Sequence, residues 1–234
     1  MQLRIFAALA LLLGATSADA VSPVADYQFN GTLASSISGA PDLATVGSGT
    51  QINGDFVNGT SQLVLKFTAG SGLLLSPTTS ILSNPGVYTI RLLARHYETT
   101  SYEKYIDFSN LQDDVGLYDN SGYLGLYPEG FGQDLTIVPV YVEVVMTRDA
   151  SGIAKGYING VLQFIDDDSV NLAGFISNAN TLYFFLDDIA SGSGEVADGA
   201  VARITIWNTV LSEQEVAALE PDLIFAGDFD NASP

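Results

Sequence analysis

The chain has 234 residues, with 27 Asp plus Glu against 8 Lys plus Arg, a formal net charge of −19, one His and no Cys. That charge excludes phosphate backbones and anionic lipid surfaces as electrostatic partners and favours cations. The missing thiols exclude disulfides, a cysteine nucleophile and thiolate zinc, and His96 alone cannot build a multi-histidine metal centre.

In chain order, the first element is a leader. Arg4 precedes an apolar run from Ile5 to Ala15, and Ala18-Asp19-Ala20 has the small-x-small form of a cleavage site, so residues 1–20 read as a secretory signal peptide. The run is too short to span a bilayer, which takes about twenty apolar residues. Cleavage removes Arg4 and Asp19 together and leaves the net charge at −19. The expected product is exported, with no membrane span. No Pro-rich or charge-rich linker divides residues 21–220, which read as one domain followed by a tail over 221–234.

Within that domain, short runs of period two recur between Gly, Asn, Asp and Ser, the pattern of half-buried antiparallel strands. In 88–97, Tyr88, Ile90, Leu92 and Ala94 share one face, and Thr89, Arg91 and Arg95 the other. A hairpin joins 116–118 to 123–127 through Asp119-Asn120-Ser121-Gly122. In 141–148, Val142, Val144 and Met146 alternate with Tyr141, Glu143 and Thr147. The pair Asn159-Gly160 between two apolar runs predicts a type I′ turn and a tight hairpin. Ala202, Ile204 and Ile206 alternate with Arg203 and Thr205. One helix is predicted: Ser212 caps it, Glu215 reaches back, Leu211 staples against Val216, and it ends near Glu220 before Pro221. These elements describe an all-β protein, an antiparallel two-sheet sandwich with one short C-terminal helix.

The stretches 27–33, 105–108, 114–118, 145–152, 156–161, 184–188 and 202–219 stand in an order that resembles a laminin-G-like domain of the concanavalin A-like lectin/glucanase jelly-roll superfamily. The resemblance covers residues 26–219. It implies a jelly-roll sandwich from an exported bacterial protein that binds a glycan or a cell-surface protein, or that serves as a structural or adhesion module without a small-ligand site. The segment 224–230 also resembles a short terminal motif of exported bacterial proteins, with Gly227 and Asp228 transposed.

Two residue sets carry candidate chemistry. Asp187 and Asp188, with Glu195 in the Gly/Ser segment that follows, and Asp107 and Asp114 around another loop, offer oxygen ligands to a hard cation such as Ca²⁺. The resemblance implies calcium at such loops in part of the family; the plainer alternative is a set of solvated turn residues. Tyr97, Tyr102, Tyr118, Tyr123 and Tyr127 are candidates for stacking on sugar rings, against the alternative that alternate members pack inward. Asp166-Asp167-Asp168 reads as an exposed loop. No Glu-x-Asp-x-Glu strand motif of the fold's glycosidases is present, and a lyase reading rests on His96 alone. No catalytic residue is assigned, and a non-catalytic binding module is expected.

Overall fold

A computed structural model describes residues 21–135, 140–189, 192 and 194–219. The expected leader, the end of the predicted helix at Glu220 and the tail lie outside the described residues. The first third of the domain contributes β1 (Ala25–Tyr27), β2 (Ala44–Val46), β3 (Gln51–Val57), β4 (Thr60–Phe67) and β5 (Gly72–Leu75). The middle contributes β6 (Tyr88–His96), β7 (Tyr102–Asp107), β8 (Gly116–Asn120), β9 (Tyr123–Tyr127) and β10 (Gly130–Leu135). Then come β11 (Val142–Arg148), β12 (Ile153–Ile158), β13 (Val161–Asp167), β14 (Leu182–Phe184), β15 (Gly199–Trp207) and the helix α1 (Glu213–Ala217).

They form two antiparallel sheets. One runs β13-β12-β11-β6-β15-β4-β3, with β1 pairing β15 as its eighth strand; the other runs β10-β9-β8-β7-β14-β5-β2. The core lies between them. Tyr88, Ile90, Leu92 and Ala94 of β6 and Val142, Val144 and Met146 of β11 meet Ile106, Leu117, Leu124, Leu126 and Phe184 of the facing sheet. The period-two reading of β6 and β11 is therefore the reading of the core. In β15 it holds for Ile204 and Ile206 but not for Ala202: the register shifts between Val201 and Arg203, Val201 enters the core, and Ala202 turns outward to pack with Val57, Leu93 and Tyr141. No periodicity argument detects such a bulge.

Turn chemistry holds closely. Asn159 and Gly160 take φ of 49° and 77°, as a type I′ turn requires, and Ile158 faces Val161 across it. Ser212 and Glu215 form a reciprocal capping box, and Leu211 and Val216 pack together with Val145, Tyr157 and Trp207. The helix stops at Ala217, short of the expected end. Among the described residues no helix is long and apolar enough to cross a membrane.

The triplet 166–168 is a correction. Asp166 and Asp167 end β13, and Asp168 is fully buried. Its carboxylate accepts the backbone N–H of Leu172, Ala173 and Gly174 and the Nε of Arg148 at 2.7 Å. A single buried acid thus organises the loop that a surface reading would leave solvated.

Candidate functional site

The residues that matter most sit on β7, on the loop after it and on the segment that follows β14. Between Lys104 and Ile106 the pairing of β7 with β8 slips by one residue. Tyr105 and Ile106 consequently both enter the core, while Lys104 is left on the far face of the sheet beside Tyr118. The described residues beyond β14 then continue along β7. Phe185 N donates to Tyr105 O at 3.1 Å, Lys104 N donates to Glu195 O at 3.0 Å, and Lys104 ends with no side-chain exposure.

This arrangement brings the two candidate sets together. Carboxylate oxygens of Asp114, Asp187 and Asp188 lie within 4.8 Å of one another. Glu195 joins them through its backbone, whose N–H donates to Asp187 Oδ2 at 3.0 Å. Its side-chain Oε2 has no hydrogen-bond partner. Burial, with the Asp114 and Asp187 charges, pushes the Glu195 carboxyl up to about 7. The Tyr118 hydroxyl donates to Asp114 Oδ1 at 3.0 Å, so a member of the tyrosine set holds a member of the acid set.

Asp107 does not belong with them. Its Oδ1 accepts Leu111 N at 2.8 Å and Ser109 N at 3.1 Å, and its Oδ2 faces Lys104 Nζ at 3.7 Å; it ties down its own loop. Lys104 is the residue that the sequence reading missed. Its ammonium lies 3.2 Å from Asp187 Oδ1 and 4.8 Å from the Tyr118 ring centroid, a built-in cation at the place where an external one was expected.

The tyrosines divide in the same way. Tyr102, Tyr118 and Tyr127 form one ring cluster, with Tyr102 edge-on to Tyr118 at 5.7 Å and to Tyr127 at 5.9 Å. Phe131, also missed, adds a fourth ring 5.7 Å from Tyr102. It fits because Gly125 leaves room: a Cβ there would lie 2.1 Å from the Phe131 ring. Tyr118 is fully buried, whereas Tyr102, Tyr127 and Phe131 keep part of their surface open. Tyr123 stands at the hairpin end of β9, 38% exposed. Tyr97 lies elsewhere, past the end of β6 with the Arg95 guanidinium 4.9 Å from its ring.

No family model matches the chain, and no curated protein matches it. Solved structures do. Domain 4 of AbnA, an extracellular arabinanase of Geobacillus stearothermophilus solved with arabinotriose, aligns at TM-score 0.63 and 17% identity over 86% of this chain and 98% of that one. The binding domain of botulinum neurotoxin DC, solved with rat synaptotagmin II, aligns at TM-score 0.63 and 15% identity over 85% of this chain and 51% of that one. A botulinum neurotoxin type C structure, described as dependent on two ganglioside molecules for cell entry, aligns at TM-score 0.60 and 15% identity, again over 85% of this chain. The chain shares their β-sandwich fold. It spans about half the length of the neurotoxin chains.

His96 takes no part in the surface site. It is 2% exposed and stacked on Tyr105 at 4.5 Å, with Phe67 and Phe185 edge-on. Burial lowers it to about 3, so the ring is neutral at physiological pH and walled in by aromatics. The proton acceptor that a lyase reading would require is a core residue here.

Proposed function

We propose that the chain is an exported, non-catalytic binding module of the laminin-G-like type, which recognises a neutral glycan on the outer face of its seven-stranded sheet and uses calcium to fix the segment over that face. The observation that carries this reading is the convergence of the half-open rings of Tyr102, Tyr127 and Phe131 with the carboxylates of Asp114, Asp187 and Asp188 across the buried Tyr118. Flat aromatics with polar tips suit the C–H faces and hydroxyls of a sugar. A net charge of −19 turns away acidic polysaccharides, which leaves neutral glycans as the favoured class. Fold neighbours solved with arabinotriose, or described by their ganglioside dependence, support a glycan as ligand.

The donor set fits calcium: three carboxylates in reach of one another, a fourth with a bare oxygen, and only oxygen ligands. Asp114, Asp187 and Asp188 would hold the ion, with Glu195 beside them, and the ion would supply the positive charge that Lys104 leaves unmatched. The test has two arms. Calcium in excess over chelator should raise the melting midpoint by about 5–10 °C, from about 2.7 kcal/mol at one hundred times Kd and about 2–4 °C per kcal/mol at this size. Asp188→Asn should abolish that rise. In calorimetry or on a glycan array, neutral oligosaccharides should bind, and Tyr127→Ala should weaken them about three- to tenfold, the worth of one ring contact. Silence across neutral glycans would overturn the glycan reading, and an unchanged midpoint would overturn the calcium.

A second reading, a structural or adhesion module, draws on a different surface. Val161, Leu162 and Ile165 of the edge strand β13, with Val170 and Leu172 after it, are exposed apolar residues on one margin of the sandwich. Retained self-association in the absence of any glycan binding would favour it.

A further inference from the structure

Where β6 hands the chain over to β7, the end of the sandwich holds a cavity of about 370 Å³ walled by Ala69, Tyr97, Glu98, Thr100, Glu103 and residues 196–198. That volume is within the range of small-ligand sites, about 300–1,000 Å³. Three of its wall residues are acids (Glu98, Glu103 and Asp198), and no base is among them. Arg95 lies over the Tyr97 ring and is tied to Asp55 at 2.6 Å.

Glu103 is the informative member. It is 4% exposed, and its Oε1 accepts the backbone N–H of Thr100 at 3.1 Å and of Ser101 at 3.2 Å. Its Oε2 is buried with no hydrogen-bond partner. A buried carboxylate oxygen without a donor has lost its water without a replacement, so it marks a place where a donor is missing. Burial, with the charges of Asp119 and Glu195, pushes Glu103 up to about 7, in keeping with an acid that lacks its counter-charge. Asp198 Oδ1 accepts Ala69 N at 2.8 Å and so holds one rim of the cavity in place.

We propose that this cavity is a second binding site, selective for an amino sugar, in which a protonated hexosamine amine donates to Glu103 and is attracted by Glu98 and Asp198 while the sugar ring rests along Tyr97. A primary ammonium brings three donors and one positive charge to a wall that offers acceptors and negative charge, and a hydroxylated ring matches the remaining volume. The site is distinct from the tyrosine face on the outer sheet, and Glu195, whose charge acts on Glu103, stands between it and the carboxylates proposed for calcium.

The test is calorimetry on the full chain with the glucosamine β-1,4 dimer, its N,N′-diacetyl counterpart and Nα-acetyl-lysine. The free amine dimer should bind, and acetylation of its amines should weaken binding at least tenfold. Glu103→Gln should also weaken it about tenfold while melting at or above the parent midpoint, because it removes a buried charge that Asp119 repels; a merely structural Glu103 would lose stability instead. Glu98→Gln, at an exposed position, should cost about threefold without affecting folding. A neutral oligosaccharide in excess should not displace the dimer, which separates this site from the tyrosine face. Equal binding of the diacetyl form, no binding of either dimer, or unchanged binding by Glu103→Gln would overturn the proposal, and acetyl-lysine binding as tightly as the dimer would overturn the sugar assignment.

Discussion

The two sheets treat charge in opposite ways. Of the eight Lys and Arg residues, Arg4 lies outside the described residues, six stand on strands of the eight-stranded sheet, and Lys104 alone stands on the seven-stranded one. Each of the six is ion-paired: Lys66 and Arg95 with Asp55, Arg91 with Glu143, Arg148 with Asp168, Lys155 with Glu213 and Arg203 with Asp26. Lys104 meets Asp107 and Asp187, and Asp114, Asp188 and Glu195 crowd around the same place. A buried acid with a matched base is part of the scaffold; a group of acids with one shared base still requires protons, a metal ion or a ligand. The difference supports the proposed site on the seven-stranded side without any appeal to relatives.

The strongest way to break the comparison is on the balanced side. Arg148 donates to the carboxylate and carbonyl of Asp168, to Gly86 O and to Asn171 Oδ1, each within 2.8 Å. Arg148→Met should cost about 3–5 kcal/mol in urea unfolding, since it strands a fully buried carboxylate. Lys104→Met removes the only cation of the other sheet, yet its neighbours can answer by taking up a proton or a metal ion. It should therefore cost about 3 kcal/mol, at the lower end of the same range, and calcium should restore part of the loss. Equal losses with no calcium effect would erase the distinction between the sheets.

Proton linkage sharpens the contrast. Glu103 and Glu195, both pushed up to about 7, start from an ordinary value of 4.5. A carboxyl whose folded value is raised binds protons more tightly in the native state, so its stabilising effect is full at acid pH and is lost as pH rises from about 4.5 through about 7. Asp166, at the margin where β13 approaches the other sheet, is pushed to about 6 by burial and by Glu129 and Asp168, and acts in the same direction. For the ion-paired acids of the eight-stranded sheet the sign reverses. Burial pushes Asp26 and Asp55 up, but hydrogen bonds and the Arg203, Arg95 and Lys66 charges outweigh it and leave both below 3.8; what they contribute is present above that value and lost as pH falls beneath it. The metal-free protein should thus be most stable near pH 4–5 and weaken towards pH 8. Unfolding midpoints across pH 3–8.5 check this, and Glu195→Gln should make the neutral limb shallower while leaving the acid limb unchanged.

The same asymmetry explains what was legible in the sequence. Period two gave the strands of the core, and Asn159-Gly160 and Ser212-x-x-Glu215 gave a turn and a cap, because those signals are local. Tyr102, Tyr118 and Tyr127, and Asp114, Asp187, Asp188 and Glu195, were visible as residue types in loops and strands. Their meeting was not, because it depends on the bulge at Lys104 and on residues after β14 returning alongside β7. Lys104 reads as one more charge in an alternating strand, and Phe131 as one more core aromatic. Asp168 shows the limit from the other side: an Asp triplet suggests solvent, whereas its last member is a buried hub, while His96 is the packed ring that a lone histidine more often is.

The smallest effect is as informative as the largest. Lys155 and Glu213 pair at 2.8 Å, close to the 2.7 Å of the buried Arg148 and Asp168, but their side chains are 32% and 54% exposed. Water screens the pair, and ordering two long side chains offsets most of the attraction. Lys155→Ala should change stability by no more than about 0.5 kcal/mol and leave the pH profile as it was. If it instead cost as much as Lys104→Met, pairing distance rather than burial would govern these charges. The contrast between a balanced and an unbalanced sheet would then lose its physical basis, because that contrast depends on which acids are removed from water and only secondarily on how near a base they stand.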